Sequence, residues 1–414
     1  MKKIDRAPVL RLPGFNDSWT ESKIGDVTTY VDYRGATPLK SESGVFLVTA
    51  KNVKVGVIDY ECSKQYIPKD HYEQVMRRGR PFLGDVLITT EAPLGNVAAV
   101  DRTDVALAQR IIKLRGKEGV LSNEFLKHIL LSQSFQVLLN EKSSGSTAKG
   151  IKGSVLRKLP LVFPSISEQE KIATFLFAVD ERIGQLKRKK NLLVKYKNGV
   201  TQQIFAQDIR FKDDNGNDFP DWEKRTLGDL GSTYNGLVGK TAEDFGEGSP
   251  YVTYKQIFDH SKIQCGRFGF VRIHPREKQN QVQFGDVFFT TSSETPREVA
   301  FASVMLDEAE NVYLNSFCFG YRPYSLSTLN PQFSRYLFRS DNFRRKVFRL
   351  SQGSTRYNIS KTEMMKLTIA LPSLDEQVKI ATLLSAIDKK VELLDCQMGN
   401  TKIFKEGLLQ QMFV

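Results

Sequence analysis

Metal or nucleophile chemistry needs ligands or bases that can come together, and this chain offers few candidates. Its histidines (His71, His128, His260, His274) are scattered, and its cysteines (Cys62, Cys265, Cys318, Cys396) stand far apart with no Cys-x-x-Cys pair. That argues against a thiolate zinc site and gives no disulfide framework. Gly236-x-x-Gly-Lys-Thr241 echoes a phosphate loop, but G-x-x-x-x-G-K-[ST] needs glycine where Tyr234 stands, so the segment reads as a turn. Asp307-Glu-Ala-Glu310 echoes a helicase box; without a phosphate loop it reads as a solvated charge cluster. The Asn/Asp-Pro-Pro-aromatic motif of adenine methylation has no counterpart, since no Pro-Pro occurs. The expectation is a non-catalytic chain that binds no metal and no cofactor itself.

Cations are the more informative residues. Lys and Arg number 60 against 47 Asp and Glu, a net charge of +13, with a sequence pI near 9.4. A surplus of this size favours a polyanion partner, because each phosphate contact releases condensed counterions. Candidate DNA contacts are Lys149, Lys152 and Arg157, which follow Gly145-Ser-Thr147, and Arg356 and Lys361, which follow Gly353-Ser-Thr355. A Gly/Ser/Thr turn beside a cation suits a phosphate, and equally suits a tight turn that packs a domain on its helix. Arg34 and the run Arg77-Arg78-Gly-Arg80 are further candidates, with solvated surface as the alternative. The densest basic stretch holds Arg335, Arg339, Arg344, Arg345, Lys346 and Arg349; of these Arg344 and Arg345 are taken as DNA-backbone contacts, with an acidic partner surface as the alternative. Tyr33, Tyr251 and Tyr254 are read as core, with bases as the alternative partner.

What positions these residues is an internal repeat. Residues 125–206 align with 333–414 at a constant offset of 208, and 27 of the 82 pairs are identical. The strongest stretch, Pro164-Ser-Ile-Ser-Glu-Gln-Glu-Lys-Ile-Ala173, returns as Pro372-Ser-Leu-Asp-Glu-Gln-Val-Lys-Ile-Ala381. Upstream the offset slips to 201, where Leu83-Gly-Asp-Val86 pairs with Phe284-Gly-Asp-Val287, and to 203, where Trp19 and Gly25-Asp26 pair with Trp222 and Gly228-Asp229. A repeat near 200 residues is a duplicated domain rather than a solenoid. Each copy ends in a long helix, opened by a capping box at Ser167-x-x-Glu170 and by Asp375 in the second copy. Its apolar seam runs Ile172, Leu176, Val179, Ile183, Leu186 in the first copy and Ile380, Leu384, Ile387, Val391, Leu394 in the second. About 40 residues at 1.5 Å each make rods of roughly 60 Å. Lys197 and Lys405 interrupt both seams at aligned positions. The front of each copy mixes short strands with one helix, near 123–140 and 331–349. The expected fold is α+β: two tandem pseudo-two-fold-related α/β recognition domains (1–164 and 207–372) separated by two long antiparallel coiled-coil helices (165–206 and 373–414).

Leu-Gly-Asp-Val, Gly-Ser-Thr and Pro-x-x-x-Glu-Gln-x-Lys-Ile-Ala, repeated before long helices, resemble the specificity subunits of type I restriction-modification systems. The first copy also carries Gly35-Ala-Thr37-Pro38, similar to the family's Gly-x-Thr-Pro; the second has Gly236-Leu-Val-Gly-Lys-Thr241 instead. The resemblance implies that each domain reads one half of a bipartite double-stranded DNA site, while the helices set the spacer. It implies two methyltransferase subunits docked on a single copy of this chain, with restriction subunits joining them. S-adenosylmethionine, ATP and magnesium would be bound by those partners. The competing readings are a free-standing DNA-modifying enzyme and a coiled-coil scaffold without DNA readout. No run of 18 apolar residues and no apolar stretch behind the basic Met1–Arg6 flank leave the cytoplasm as the expected address.

Overall fold

The computed structural model describes residues 2–4, 7–35, 37–145 and 149–414; Ser146 and Thr147 of the first Gly-Ser-Thr loop, and Ala36, lie outside them. The chain forms two compact units, one of residues 1–187 with 396–414 and the other of residues 188–395. These units cut across the four segments expected from sequence: each takes its domain, half of its own long helix and half of the other.

In the first unit, an antiparallel sheet runs in the order Thr28–Asp32, Ile111–Gly116, Val86–Thr90, Leu94–Ala99. A smaller mixed sheet holds Tyr66–Ile67, Val45–Val48 and Val105–Leu107. A third pairs Trp19–Lys23 with Pro160–Phe163, the strand that leads into the long helix. The second unit repeats this plan. Its main sheet runs Gly231–Asn235, Cys318–Pro323, Val287–Thr290, Ala302–Val304, its small sheet Gly269–Val271, Phe245–Val252, Tyr313–Leu314, and Glu223–Thr226 pairs with Thr368–Leu371. Strand registers built on β-branched and aromatic residues such as Val86-Leu-Ile and Val287-Phe-Phe bury both faces.

The helix read near 123–140 is two helices, Asn123–Leu131 and Gln133–Glu141, and its counterpart is Pro331–Leu337 and Asp341–Leu350. Ser132 and Ser340 make each break: both leave the helical region and accept from the N–H three residues on, capping the next helix. The long helices run Ile166–Ala206 and Leu374–Gln411. Their caps are Ser165 and Ser373, two residues before the expected ones: Gln169 N–H donates to the Ser165 carbonyl at 3.0 Å, Gln377 N–H to that of Ser373 at 2.9 Å. Ser167 and Asp375 already lie inside the helix.

The repeated Glu-Gln of the helix starts does structural work. Buried Glu168 takes the Arg11 guanidinium in two 2.8 Å hydrogen bonds, and buried Glu376 accepts from Arg210 at 2.9 Å and from the Trp222 indole at 3.1 Å. The Gln169 amide accepts from Ser122 N–H and donates to the carbonyls of Val120 and Pro164; Gln377 does the same with Asn330, Thr328 and Pro372. Each Glu-Gln thus clamps the start of its long helix to the short helix pair of its domain.

The seam residues pack within each unit. Ile172, Leu176 and Val179 share one core with Trp19, Phe125, Leu408, Leu409, Met412 and Phe413; Ile380, Leu384 and Ile387 share another with Ile204, Phe205 and Trp222. Leu186 and Leu394 are buried, Ile183 and Val391 half-buried. The ion pairs show the helix polarity. In the second unit Lys190 meets Asp395 and Lys197 meets Asp388, so seven residues forward on one helix is seven back on the other, an antiparallel pairing. In the first unit Lys405 meets Asp180. The two lysines that interrupt the seams are thereby neutralised, each by the aspartate that corresponds under the repeat.

Candidate nucleic-acid interface

Four of the six cations in the 335–349 run make bonds within the chain. Arg335 pairs with Asp388 at 2.8 Å. Arg339 donates to the carbonyls of Ala302, Ile257 and His260 at 2.6–2.7 Å, and its ring neighbour is Phe301. Arg344 donates to the carbonyls of Ala300, Arg297 and Val299 at 2.6–2.7 Å, over the same Phe301 ring. Burial lowers both guanidinium pKa values to about 10. Lys346 reaches the carbonyl of Thr368. The Arg344 contact with DNA is therefore corrected: its donors are taken up by peptide oxygens of the loop before Ala302, those of buried Val299 and Ala300 among them. Arg345 and Arg349 remain exposed.

A second group of expected residues meets at one corner of the first unit, at the end of the strand Thr28–Asp32. Arg34 lays its Nε and Nη2 on the Asp32 carboxylate at 2.5–3.0 Å, and its backbone N–H donates to Asp32 Oδ1 at 3.0 Å. Burial pushes the Asp32 pKa up, but the hydrogen bonds from Arg34 outweigh it and leave the carboxyl below its ordinary value. Arg78 closes the turn from outside, donating to the carbonyls of Asp32 and Arg34. Gly153 abuts the pair: a Cβ there would lie 2.7 Å from Asp32 Oδ2 and 2.9 Å from Arg34 Nη2. This brings exposed Lys152 to the same corner. Gln109 reaches Thr37 at 3.2 Å, and Arg110 pairs with Glu91 at 2.9 Å. Arg110 holds φ at +73°, a conformation that costs a non-glycine residue and recurs at functional rims. Lys149 is exposed next to Gly150, which bridges Glu91.

Other expected residues lie apart from this corner. Arg80 turns to Glu73 and Tyr72, and Arg77 is exposed. Arg157 lies 4.3 Å over the Tyr30 ring and donates to its hydroxyl at 2.8 Å. Tyr33 is core, its hydroxyl on the Gly79 carbonyl. Asp32, Gln109, Glu91 and Arg110 were not singled out from sequence; the Asp-x-Arg spacing, which suits a local side-chain turn, was the available signal.

The corresponding corner of the second unit is built differently. Asn235 stands in place of Asp32, buried Leu237 in place of Arg34 and Lys361 in place of Gly153; the Lys361 ammonium meets the Asn235 amide oxygen. Gly353, at φ +126°, closes a tight turn where a Cβ would lie 2.2 Å from the Arg356 carbonyl, leaving Arg356 exposed. Gly236-x-x-Gly-Lys-Thr241 cradles no phosphate: Lys240 is held by Glu277 at 2.7 Å and Thr241 by Asp244. Among the described residues no cluster of three or more His, Cys, Asp or Glu could hold a metal, and no helix is long and apolar enough to cross a membrane.

The family model described as the type I restriction modification DNA specificity domain matches the chain twice, at residues 16–196 and 220–398. The MjaIX specificity subunit of Methanocaldococcus jannaschii is 28% identical over 231 residues, which span 53% of this chain and 48% of that protein. The MjaVIII specificity subunit of the same organism is 21% identical over 69% of this chain and 68% of its own length. Among solved structures, the type I S subunit from M. genitalium superposes with a TM-score of 0.58 at 16% identity, covering 99% of both chains. At that identity the likeness establishes the fold.

Proposed function

This chain belongs to the type I restriction-modification DNA specificity family, and we propose that it selects the DNA on which such a system acts. Each unit reads one half of a bipartite double-stranded target, the long helices set the unread spacer, and this chain performs no chemistry. The observation that carries this reading is the duplication together with its exceptions. The clamps Glu168/Glu376 and Gln169/Gln377 and the aspartate–lysine pairs occur in both units, whereas the exposed corners differ in every polar group. Two surfaces on one scaffold with different chemistry suit two different half-sites.

Two copies of one methyltransferase subunit dock on the helices, restriction subunits join them, and S-adenosylmethionine, ATP and magnesium belong to those partners. The helix surface supports such docking. Tyr196 and Phe404 occupy equivalent positions and are 57% and 54% exposed. One turn on, Gly199 and Gly407 sit within the last turns of their helices, with nothing within 4 Å of where a Cβ would stand. Glycine there costs a helix about 1 kcal/mol with no return inside this chain. In the second unit, Tyr196, Gly199 and Arg345 line an open hollow of about 640 Å³. The complex acts in the cytoplasm. Mapping methylated adenines in DNA from cells carrying this chain with its methyltransferase tests the reading: a bipartite motif with a fixed spacer is expected, and a continuous motif or none refutes it.

A further inference from the structure

We infer that the first unit reads a guanine through Arg34, with Asp32 as its positioning residue; this rests on the DNA-reading assignment above. A guanidinium offers two edges that can each give two parallel hydrogen bonds. Asp32 occupies the Nε–Nη2 edge of Arg34 completely, from the side, while its Oδ1 also holds the Arg34 backbone N–H. Among the described residues the remaining Nη1–Nη2 edge has one long contact, 3.4 Å to the Ile151 carbonyl, and 36% of the side chain is exposed. Arg78, bonded to the carbonyls of Asp32 and Arg34, fixes the turn from which the fork projects. The ordering entropy of a long side chain has thus been met before any ligand arrives.

Charge selects the ligand. Asp32 and Arg34 together are neutral, and a carboxylate beside the fork repels an approaching phosphate, so the pair is a poor backbone contact. A base edge is neutral and asks for geometry instead. Two parallel N–H donors match two adjacent acceptors, and in the major groove only guanine presents that pair, O6 and N7; adenine sets a donor beside its N7. The exposed cations nearby, Lys152 and Lys149, are free of this constraint and suit phosphates.

The duplication argues the same way. Polar clusters that hold the scaffold recur in both units. The Asp32–Arg34 pair and the glycine that makes room for it occur once: the second unit has Asn235, Leu237 and Lys361 at those three places. Space is cleared at Gly153 for a pair that the common scaffold does not need.

The test uses the full chain in complex with its methyltransferase and duplexes carrying the motif found by methylation mapping. Each guanine of the first half-site is replaced in turn by 7-deazaguanine, which lacks the N7 acceptor. One such replacement is expected to weaken the parent complex by about tenfold or more, and to weaken Arg34→Lys by less than about twofold. Arg34→Lys retains the charge, so its affinity for unrelated DNA stays at the parent value. Asp32→Asn, which removes the charge that repels phosphate, is expected to bind unrelated DNA at least as tightly as the parent and to keep the melting temperature while losing most of the guanine preference, which a purely structural role would not do. The inference is overturned if the first half-site holds no guanine, if Arg34→Lys keeps the parent's sensitivity, or if it loses affinity equally for every duplex. A parent complex with no preference among duplexes overturns the DNA-reading assignment itself.

Discussion

Acid should loosen the first unit before the second, and His128 is the reason. Its imidazole is fully buried, and among the described residues neither ring nitrogen has a hydrogen-bond partner. Burial lowers its pKa to about 2, with the nearby charges of Lys127 and Lys405 adding to the effect; Asp180 faces both lysines. The folded unit therefore keeps His128 neutral, while the unfolded chain protonates it near 6.5. A group whose folded pKa is depressed below its unfolded value contributes stability that is complete above pH 6.5. That stability is lost as the pH falls from there toward the folded pKa. Between pH 7.5 and 5.0 the loss is about 2 kcal/mol, a large part of a typical margin of 5–15 kcal/mol. The second unit has Tyr336 at this position, donating to Asp388 at 2.8 Å, and carries no such liability. Each unit has one tryptophan, so urea unfolding at the two pH values can be followed by Trp19 fluorescence in a Trp222→Phe background. His128→Phe should remove about 2 kcal/mol of the pH-dependent loss. It should also stabilise the unit at pH 7.5 by about 1–3 kcal/mol, because two unpaired nitrogens leave the core. An unchanged pH dependence in His128→Phe would refute the reasoning.

Replacing residues 1–164 with the corresponding domain of a relative should change one half of the methylated motif and leave the other; a change in both halves would end the two-reader model. Glu376→Ala leaves the buried Trp222 N–H without its acceptor, while Arg210 keeps the carbonyls of Phe219 and Pro220, and should cost about 1–3 kcal/mol, read as a lower urea midpoint by Trp222 fluorescence. Deleting residues 396–414 removes buried Leu408, Leu409, Met412 and Phe413 from the first unit. At about 1.5–3 kcal/mol each, that should unfold Trp19's surroundings while leaving the second unit's transition intact. Four-residue insertions after both Lys187 and Asp395 add about 6 Å to each helix and should lengthen the methylated spacer by one to two base pairs with both half-sites unchanged. An unchanged spacer in an active enzyme would sink the ruler.

Much of this was legible in the sequence, and the limits have identifiable causes. Identity at a fixed offset exposed the duplication, and four-three spacing exposed the helices and their seams, because both signals are periodic. The Glu-Gln pairs were visible as a motif, but their roles were not: Arg11 lies 157 residues from Glu168, and Trp222 lies 154 from Glu376. Helix caps slipped by two because Ser165 and Ser167, or Ser373 and Asp375, are all competent caps, and the box pattern favoured the wrong one. The basic run 335–349 misled because a charge count carries no direction. Long side chains on an amphipathic helix can cross to buried carbonyls, as Arg339 and Arg344 do. That each unit borrows half a helix from the other copy was also hidden, since a seam says that a partner exists and not which segment supplies it.

The duplication separates what stabilises this protein from what it recognises. A cluster that occurs in both units answers to a need both units share, and where its bonds are closed within the chain that need is folding. Glu168 and Glu376 are such clusters, and their bonds are closed within the chain. The corner at Arg34 is open on one side and has no counterpart, so its cost is not repaid by the common fold. Changing the open corner disturbs a half-buried, partly solvated pair, whereas changing a closed clamp strands a fully buried carboxylate or its partners. Recognition can therefore drift at a lower cost in stability than the scaffold can. That asymmetry accounts for domain fronts that have lost their mutual resemblance ahead of helix starts that have kept it. For the second unit the same reasoning predicts that exposed Arg356, beside the Gly353 turn, can be replaced by alanine with an unchanged melting temperature while the second half-site is bound more weakly; a loss of stability instead would refute it.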